Sequence, residues 1–75
     1  MKIHVKAKAS EFKFATWREA DNCIEKHKEY EVKCDVRRDL GLLNNTYELC
    51  LEGTEENLNN FLSFLRMKGF KIKQF

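Results

Sequence analysis

At 75 residues with a formal net charge of +2, the chain is short enough that only about 60% of its unfolded surface becomes buried, which excludes two domains and predicts one over residues 1–75. Its 43% hydrophobic and 35% charged residues exclude a disordered tail, and no apolar run approaches the roughly 18 residues of a membrane span. The charge is polarised, because residues 1–10 and 66–75 together carry seven basic residues and no acid, whereas residues 11–65 carry twelve acids against seven basic residues.

The first predicted element is a strand over residues 1–9, in which apolar and polar residues alternate. Charges at every second position interrupt the apolar stretch that a signal peptide needs, so none is expected. Phe12 and Phe14 continue the alternation, and the strand therefore runs on, bends or folds back as a short hairpin. The polar side of the strand consists of Lys2, His4, Lys6 and Lys8.

A helix is predicted to begin at Trp17. Thr16 and Glu19 have the spacing of a capping box, in which the threonine oxygen accepts from an early helix N–H and the glutamate returns to the N–H of the cap residue. Apolar positions then recur every three or four residues, as expected for a helix that lies on a sheet. This stripe consists of Trp17, Ala20, Cys23, Ile24 and His27.

Two further strands are predicted after this helix. Residues 30–38 and residues 46–52 both alternate, with residues 39–45 as the connection between them. Because the two strands are close in sequence, we expect them to pair antiparallel. Their predicted inward side chains are Tyr30, Val32, Cys34 and Val36 in one strand and Tyr47, Leu49 and Leu51 in the other.

The end of the chain predicts a second helix and a fourth strand. Thr54 is expected to cap a helix whose first turn is acidic and whose last turn is basic, and both ends suit the helix dipole. Gly69 is expected to end this helix in a left-handed conformation, and residues 70–75 form the last predicted strand. The buried stripe of the helix is Leu58, Phe61, Leu62 and Leu65.

This order of elements predicts an α+β fold of the ferredoxin-like, split βαβ type (βαββαβ). Right-handed crossovers would place both helices on one face of a four-stranded antiparallel sheet, with the strands in the spatial order 4-1-3-2. The other face of the sheet is expected to be open to solvent.

The last third of the chain, residues 49–75, carries a family resemblance. Leu51 to Thr54, the Leu/Phe stripe of the second helix, Gly69 and the strand from Phe70 are similar to the matching segment of NIL-type and related small ferredoxin-like regulatory domains. The resemblance implies a ligand-sensing or interaction module. Acylphosphatases share the fold, but their basic, Gly-rich phosphate loop is absent, because the chain reads Ala-Ser-Glu-Phe-Lys over residues 9–13.

In the predicted order the first and last strands are neighbours, so their outward side chains form a basic strip. The alternative is a solvated face on which some lysines pair with Glu48 and Glu52. RNA-recognition domains of this topology carry stacking aromatic residues on the central strands, and none is predicted here. Sequence-specific binding of single strands through the sheet is therefore not expected, and contacts to phosphate along the lysines are the alternative that stays open. The predicted anion-binding residues are Lys2, His4, Lys6, Lys8, Lys71 and Lys73.

Three leucines in the connection over residues 39–45 are more than a hairpin needs. They either fold back and cap the core or form an apolar knob with a basic rim, which is typical of an anchor in a protein interface. The predicted partner-binding residues are Leu40, Leu42, Leu43, Arg37 and Arg38.

The three cysteines form no CxxC pair and are expected to be reduced thiols in the cytoplasm. Cys23 and His27 have the spacing of a chelating pair, but zinc needs three or four ligands, so no metal and no other cofactor is predicted. Cys34 and Cys50 should point to opposite faces, which argues against a disulfide. The acidic neighbours of Cys50 argue against an activated thiolate.

No catalytic motif is present, so no catalytic residue is predicted and the chain is expected not to be an enzyme. An enzymatic function would need a cleft with His4 or Cys50 at its wall. The leading hypothesis is a small regulatory module that docks on a protein partner, or on a second copy, through residues 39–45 or a sheet edge. The alternative is nucleic-acid or other polyanion binding through the basic strip; no membrane partner is expected.

Overall fold

The structure, a computed structural model, describes residues 1–10, 17–40 and 44–74. Four strands, two α-helices and a 3-10 helix are formed by these residues. In chain order they are β1 (Lys2–Ser10), α1 (Trp17–Glu25), a 3-10 helix (Lys26–Tyr30), β2 (Lys33–Leu40), β3 (Asn44–Glu52), α2 (Glu55–Lys68) and β4 (Lys71–Gln74).

The strands form one sheet in the order β2-β3-β1-β4, and every neighbouring pair is antiparallel. β1 pairs along its whole length with β3, from Lys2 opposite Glu52 to Ser10 opposite Asn44. β4 is shorter and covers only residues 5–8 of β1. The prediction of an α+β fold with a four-stranded antiparallel sheet and two helices is confirmed.

One face of the sheet is covered by the helices. Alternate residues of β1 and β3 are buried there in one apolar cluster with side chains from both α1 and α2. Phe61 and Leu65 of α2 are 0% exposed, as is Ala20 of α1. The β1 and β3 members of the cluster are Val5, Ala7, Ala9, Tyr47, Leu49 and Leu51.

α2 has the two ends that the sequence predicts. The Oγ1 of Thr54 accepts a hydrogen bond of 3.1 Å from the backbone N–H of Asn57, which satisfies one donor of the first turn. Gly69 ends the helix with a φ of 115°, and its N–H donates to carbonyl groups of the last turn. Glycine adopts this left-handed conformation without the strain that a Cβ atom would add.

The predicted start of the second strand is wrong. Tyr30 ends the 3-10 helix, and β2 begins three residues later. Glu31 has a φ of 57° and its N–H donates to helix carbonyl groups, which stops the helix after Tyr30. The Tyr30 ring packs against Phe61 and Phe64, with ring centroids 5.6 Å and 5.5 Å apart. Alternation cannot distinguish this helical packing from a strand, because both bury Tyr30 in part.

The predicted connection over residues 39–45 is also too long. β2 continues to Leu40 and β3 begins at Asn44, with Leu40 opposite Asn45. Pairing between the strands therefore includes polar residues whose types are typical of turns. The last strand is shorter than predicted, because Phe70 is buried before β4 begins. Leu42, Leu43, Phe12, Phe14 and Thr16 lie outside the described residues.

Candidate anion-binding face

The open face of the sheet carries charged residues in rows that cross the strands. One row runs from Arg37 through Glu48 and Lys6 to Lys73. In the next row Lys8 lies between Thr46 and Lys71. We call the four lysines of β1 and β4 in these rows the lysine patch: Lys6, Lys8, Lys71 and Lys73.

The lysine patch consists of two directly opposed pairs. Lys6 faces Lys73, and Lys8 faces Lys71. Side chains directly opposite in an antiparallel sheet have Cβ atoms about 4.5–5.5 Å apart, and like charges at this spacing are destabilising. A surface cavity of ≈ 320 Å³ is lined by the four lysines together with Thr46 and Ile72. The patch is therefore a concave, basic surface at the β4 edge of the sheet.

The predicted basic strip is divided by the structure. Lys2 lies beyond the end of β4 and faces Glu52, which in turn faces Lys33 on β2. His4 faces Cys50, whose Sγ lies 3.9 Å from His4 Nε2. These two residues share a strand face with the patch but do not have a second lysine opposite them.

The described part of the open face carries no Phe, Tyr or Trp. Tyr47 and Phe70 stack edge to face within the core, with centroids 6.0 Å apart. The rings of Tyr30, Phe61 and Phe64 pack on the helix side as well. The expectation that this face has no stacking platform therefore holds for residues 1–10, 33–40, 44–52 and 71–74.

The two arginines of the predicted docking site have different surroundings. The Arg38 guanidinium donates to Asp21 Oδ2 at 2.7 Å, and the Tyr47 hydroxyl donates to Asp21 Oδ1 at 2.7 Å. Arg37 lies on the open face opposite Glu48. Leu40 is the last residue of β2, whereas the other two leucines are outside the described residues, so an interface in this loop stays a prediction.

The Asp21 contact also affects Tyr47. Burial of the ring, followed by the hydrogen bond to Asp21, raises the pKa of Tyr47 to about 12. A charged phenolate would lose its hydration and face a carboxylate, so the neutral form is favoured. Arg38 is consequently part of a structural network that joins α1 to β2 and β3.

The Cys23 and His27 pair is not assembled into a metal centre. His27 Nδ1 donates to the carbonyl of Val32 at 2.6 Å, and the ring meets Phe61 edge-on, with centroids 6.5 Å apart. Within the described ranges no group of three His, Cys, Asp or Glu side chains is placed to hold a metal ion. The three cysteines are free thiols.

Sequence reasoning missed an exposed apolar residue at the β2 edge. Val36 is on the helix side of the sheet but is 47% exposed, although its alternation predicts burial. β2 is the outermost strand, so coverage depends on how far the helices reach across the sheet. Alternation along a strand contains no information about that distance.

The solved structures that are similar to this chain include de novo designed proteins. Foldit4 has a TM-score of 0.62 and 13% identity, over 99% of this chain and 91% of that protein. Ferredog-Diesel has a TM-score of 0.66 and 11% identity, over 100% of this chain and 84% of that protein. At these identities the similarity is one of fold alone.

No family model and no curated protein matches the sequence. None of the helices in the described ranges is both long and apolar enough to cross a bilayer.

Proposed function

We propose that this chain is a small ferredoxin-like module that binds a polyanion through the lysine patch. The observation that carries the proposal is the placement of Lys6 opposite Lys73 and Lys8 opposite Lys71. The strand order β2-β3-β1-β4, with both helices on one face, supports the ferredoxin-like assignment. A regulatory role, as implied by the NIL-type resemblance, a cytoplasmic location and the absence of catalysis stay predictions.

Repulsion within the patch supports this function. The opposed Lys8 and Lys71 pair destabilises the folded chain by roughly 0.2–1 kcal/mol relative to a neutral pair, whereas Lys6 has Glu48 opposite it on β3 as well as Lys73 on β4. An anion that bridges the two strands replaces this repulsion with attraction. Thr46, which is the cross-strand neighbour of Lys8 on β3, also offers a hydroxyl group as a hydrogen-bond donor.

The face is suited to a phosphate backbone and not to bases. Single-strand binders of this topology hold bases by aromatic stacking, and the described open face has no aromatic side chain for this. Lysine contacts to phosphate are independent of sequence and release counterions. We therefore expect binding to a phosphodiester chain with little sequence preference and a steep salt dependence.

Removing one opposed lysine pair tests this function. We expect Lys8→Gln/Lys71→Gln to weaken binding of a fluorescent oligonucleotide by about tenfold or more at low salt, measured by anisotropy. For four phosphate contacts to single-stranded nucleic acid the slope of log K against log salt should be about −3, and it should fall by about half in the variant.

Lys26→Gln/Lys28→Gln is the matched control, because it removes the same charge from the 3-10 helix. Each of these lysines already has a carboxylate within 3.5 Å. Equal losses in the two double variants would show that only net charge matters and would refute a patch. Binding that is independent of salt, or no binding to any oligonucleotide by the folded wild type, would also refute the function.

A second candidate function is self-association through the outer edge of β2, and the charge order along β2 favours it. In an antiparallel pairing of two copies centred on Val36, Asp35 would lie opposite Arg37 of the second copy. Opposite charges directly across strands are stabilising. The exposed side chain of Val36 would meet its own counterpart at the two-fold axis.

A further inference from the structure

Cys50 lies on the open face between two polar residues of the neighbouring strands. It faces His4 on β1 and Asp35 on β2. The Cys50 Sγ and His4 Nε2 atoms lie 3.9 Å apart, within the distance of a sulfur hydrogen bond. A surface cavity of ≈ 220 Å³ has both residues on its wall, so a small molecule can approach the sulfur.

The charges around Cys50 are more balanced than the sequence suggests. Glu48 and Glu52 precede and follow it on β3, but each glutamate stands between two basic residues in the sheet register. Lys6 and Arg37 flank Glu48, and Lys2 and Lys33 flank Glu52. Four cations and three carboxylates, counting Asp35, therefore surround the thiol. The acidic neighbours alone do not decide its reactivity.

The other two cysteines lack these surroundings. Burial, reinforced by Asp35 and Glu25, raises the pKa of Cys34 to about 12, and burial also raises the pKa of Cys23. A thiol with a raised pKa is a weak nucleophile, since the thiolate is the reacting form. These two residues are internal controls for any reaction at Cys50.

We propose that Cys50 is a thiol modification site that forms a mixed disulfide with an anionic, low-molecular-weight disulfide, with His4 as the base. His4 Nε2 takes the thiol proton, and Sγ attacks one sulfur of the disulfide. The new S–S bond forms as the old one breaks, and the departing thiolate takes the proton back from His4. The small disulfide is the oxidant, so atoms and electrons balance.

The proposed preference for an anionic disulfide rests on three cations at the two cavities, whose linings also include the carboxylates of Asp35, Glu48 and Glu52. Arg37 lines the cavity that holds Cys50 and His4. Lys2 and Lys33 line a second depression of ≈ 370 Å³, which shares Cys50 with the first. Carboxylates on the incoming molecule would lie near these cations while its central sulfurs reach Sγ.

The test is the rate of adduct formation by the folded protein with oxidised glutathione, followed by intact mass and mapped by peptide mass spectrometry. We expect one adduct, at Cys50, with no fast adduct in Cys50→Ser and an unchanged rate in Cys34→Ser. His4→Gln should react about 100-fold more slowly, which is the lower end of the range for loss of a positioned base.

A neutral reagent separates nucleophilicity from recognition. Hydroxyethyl disulfide should react more slowly than oxidised glutathione with the wild type, and Lys2→Gln/Lys33→Gln should slow only the anionic reagent. In the wild type at neutral pH, Cys50 should react faster in the folded than in the urea-unfolded chain. Equal rates at Cys50 and Cys34, a wild-type rate in folded His4→Gln, or faster reaction after unfolding would overturn the proposal.

Discussion

At the scale of single residues, the Asp21 carboxylate joins α1 to two strands of the sheet. It accepts hydrogen bonds of 2.7 Å from both Arg38 and Tyr47. The pair with Arg38 is about half exposed and contributes little by itself. Tyr47 is only 1% exposed, so its hydroxyl is costly to leave without a hydrogen-bond partner.

Substitution of Tyr47 tests this role. Tyr47→Phe keeps the ring contact with Phe70 and should lower the free energy of unfolding by about 1 kcal/mol in urea. Tyr30→Phe is the matched control, because the Tyr30 contacts found among the described residues are made by its ring. Equal losses in the two variants would contradict a specific role for the Tyr47 hydroxyl.

The same tyrosine predicts a pH dependence. Its folded pKa of about 12 lies above the ordinary tyrosine pKa of 10.0, so the folded state retains a proton that the unfolded chain releases. This stabilisation is complete below pH 10.0 and is lost as the pH rises to about 12. The difference in unfolding free energy between wild type and Tyr47→Phe should shrink over this range; a constant difference would show that the hydroxyl does not titrate as described.

At the scale of elements, β2 differs from the other strands because it is an eight-residue edge with an exposed valine. Natural edge strands avoid pairing with other chains by means of charges, prolines and bulges. β2 has alternating charges, but their order is complementary to a second copy of itself. This order favours the antiparallel β2 pairing proposed above.

A charge exchange tests this register. We expect a concentration-dependent dimer in sedimentation velocity, weakened by Asp35→Arg and restored by Asp35→Arg/Arg37→Asp, because only the double variant regains opposite charges across the axis. Val36→Lys should also give a monomer, whereas Met67→Lys, which changes an exposed residue of α2, should not. A monomeric wild type at millimolar concentration, or no rescue in the double variant, would refute β2 pairing.

At the scale of the whole molecule, the sheet has one apolar face and one charged face. Its helix face holds the apolar residues, and its open face gathers lysines from both ends of the chain. The net charge of +2 conceals this arrangement, because the acids are concentrated between the two terminal segments. The lysine patch thus costs stability in the free protein and gives the molecule a polarised surface.

Reversing one charge in the lysine patch should raise the stability of the protein and weaken its binding to oligonucleotides. Lys71→Glu converts the repulsion with Lys8 into attraction, so the free energy of unfolding should rise by about 0.2–1 kcal/mol at low salt while oligonucleotide binding falls. Lys2→Glu should have the opposite effect on stability, because Lys2 faces Glu52. Both differences should shrink in high salt, and changes of the same sign in the two variants would contradict the register argument.

The sequence by itself determined the elements whose signals are local. Thr54, Gly69 and the stripe of α2 predict that helix correctly, and alternation in β1 and β3 assigns their buried and open faces, because capping and side-chain direction depend on neighbouring residues. The docking hypothesis was based on Leu40, Leu42 and Leu43. The residue types in that segment do not indicate how far the two neighbouring strands extend into it.

Only the tertiary structure decided which residues meet. Residues far apart in sequence, such as Lys8 and Lys71 or His4 and Cys50, become neighbours through the antiparallel register, and a shift of one residue would turn each of them to the other face. The exposure of Val36 and the helical placement of Tyr30 likewise follow from how helices cover the sheet. Local pattern assigns a side chain to a face, whereas long-range pairing decides what lies across from it.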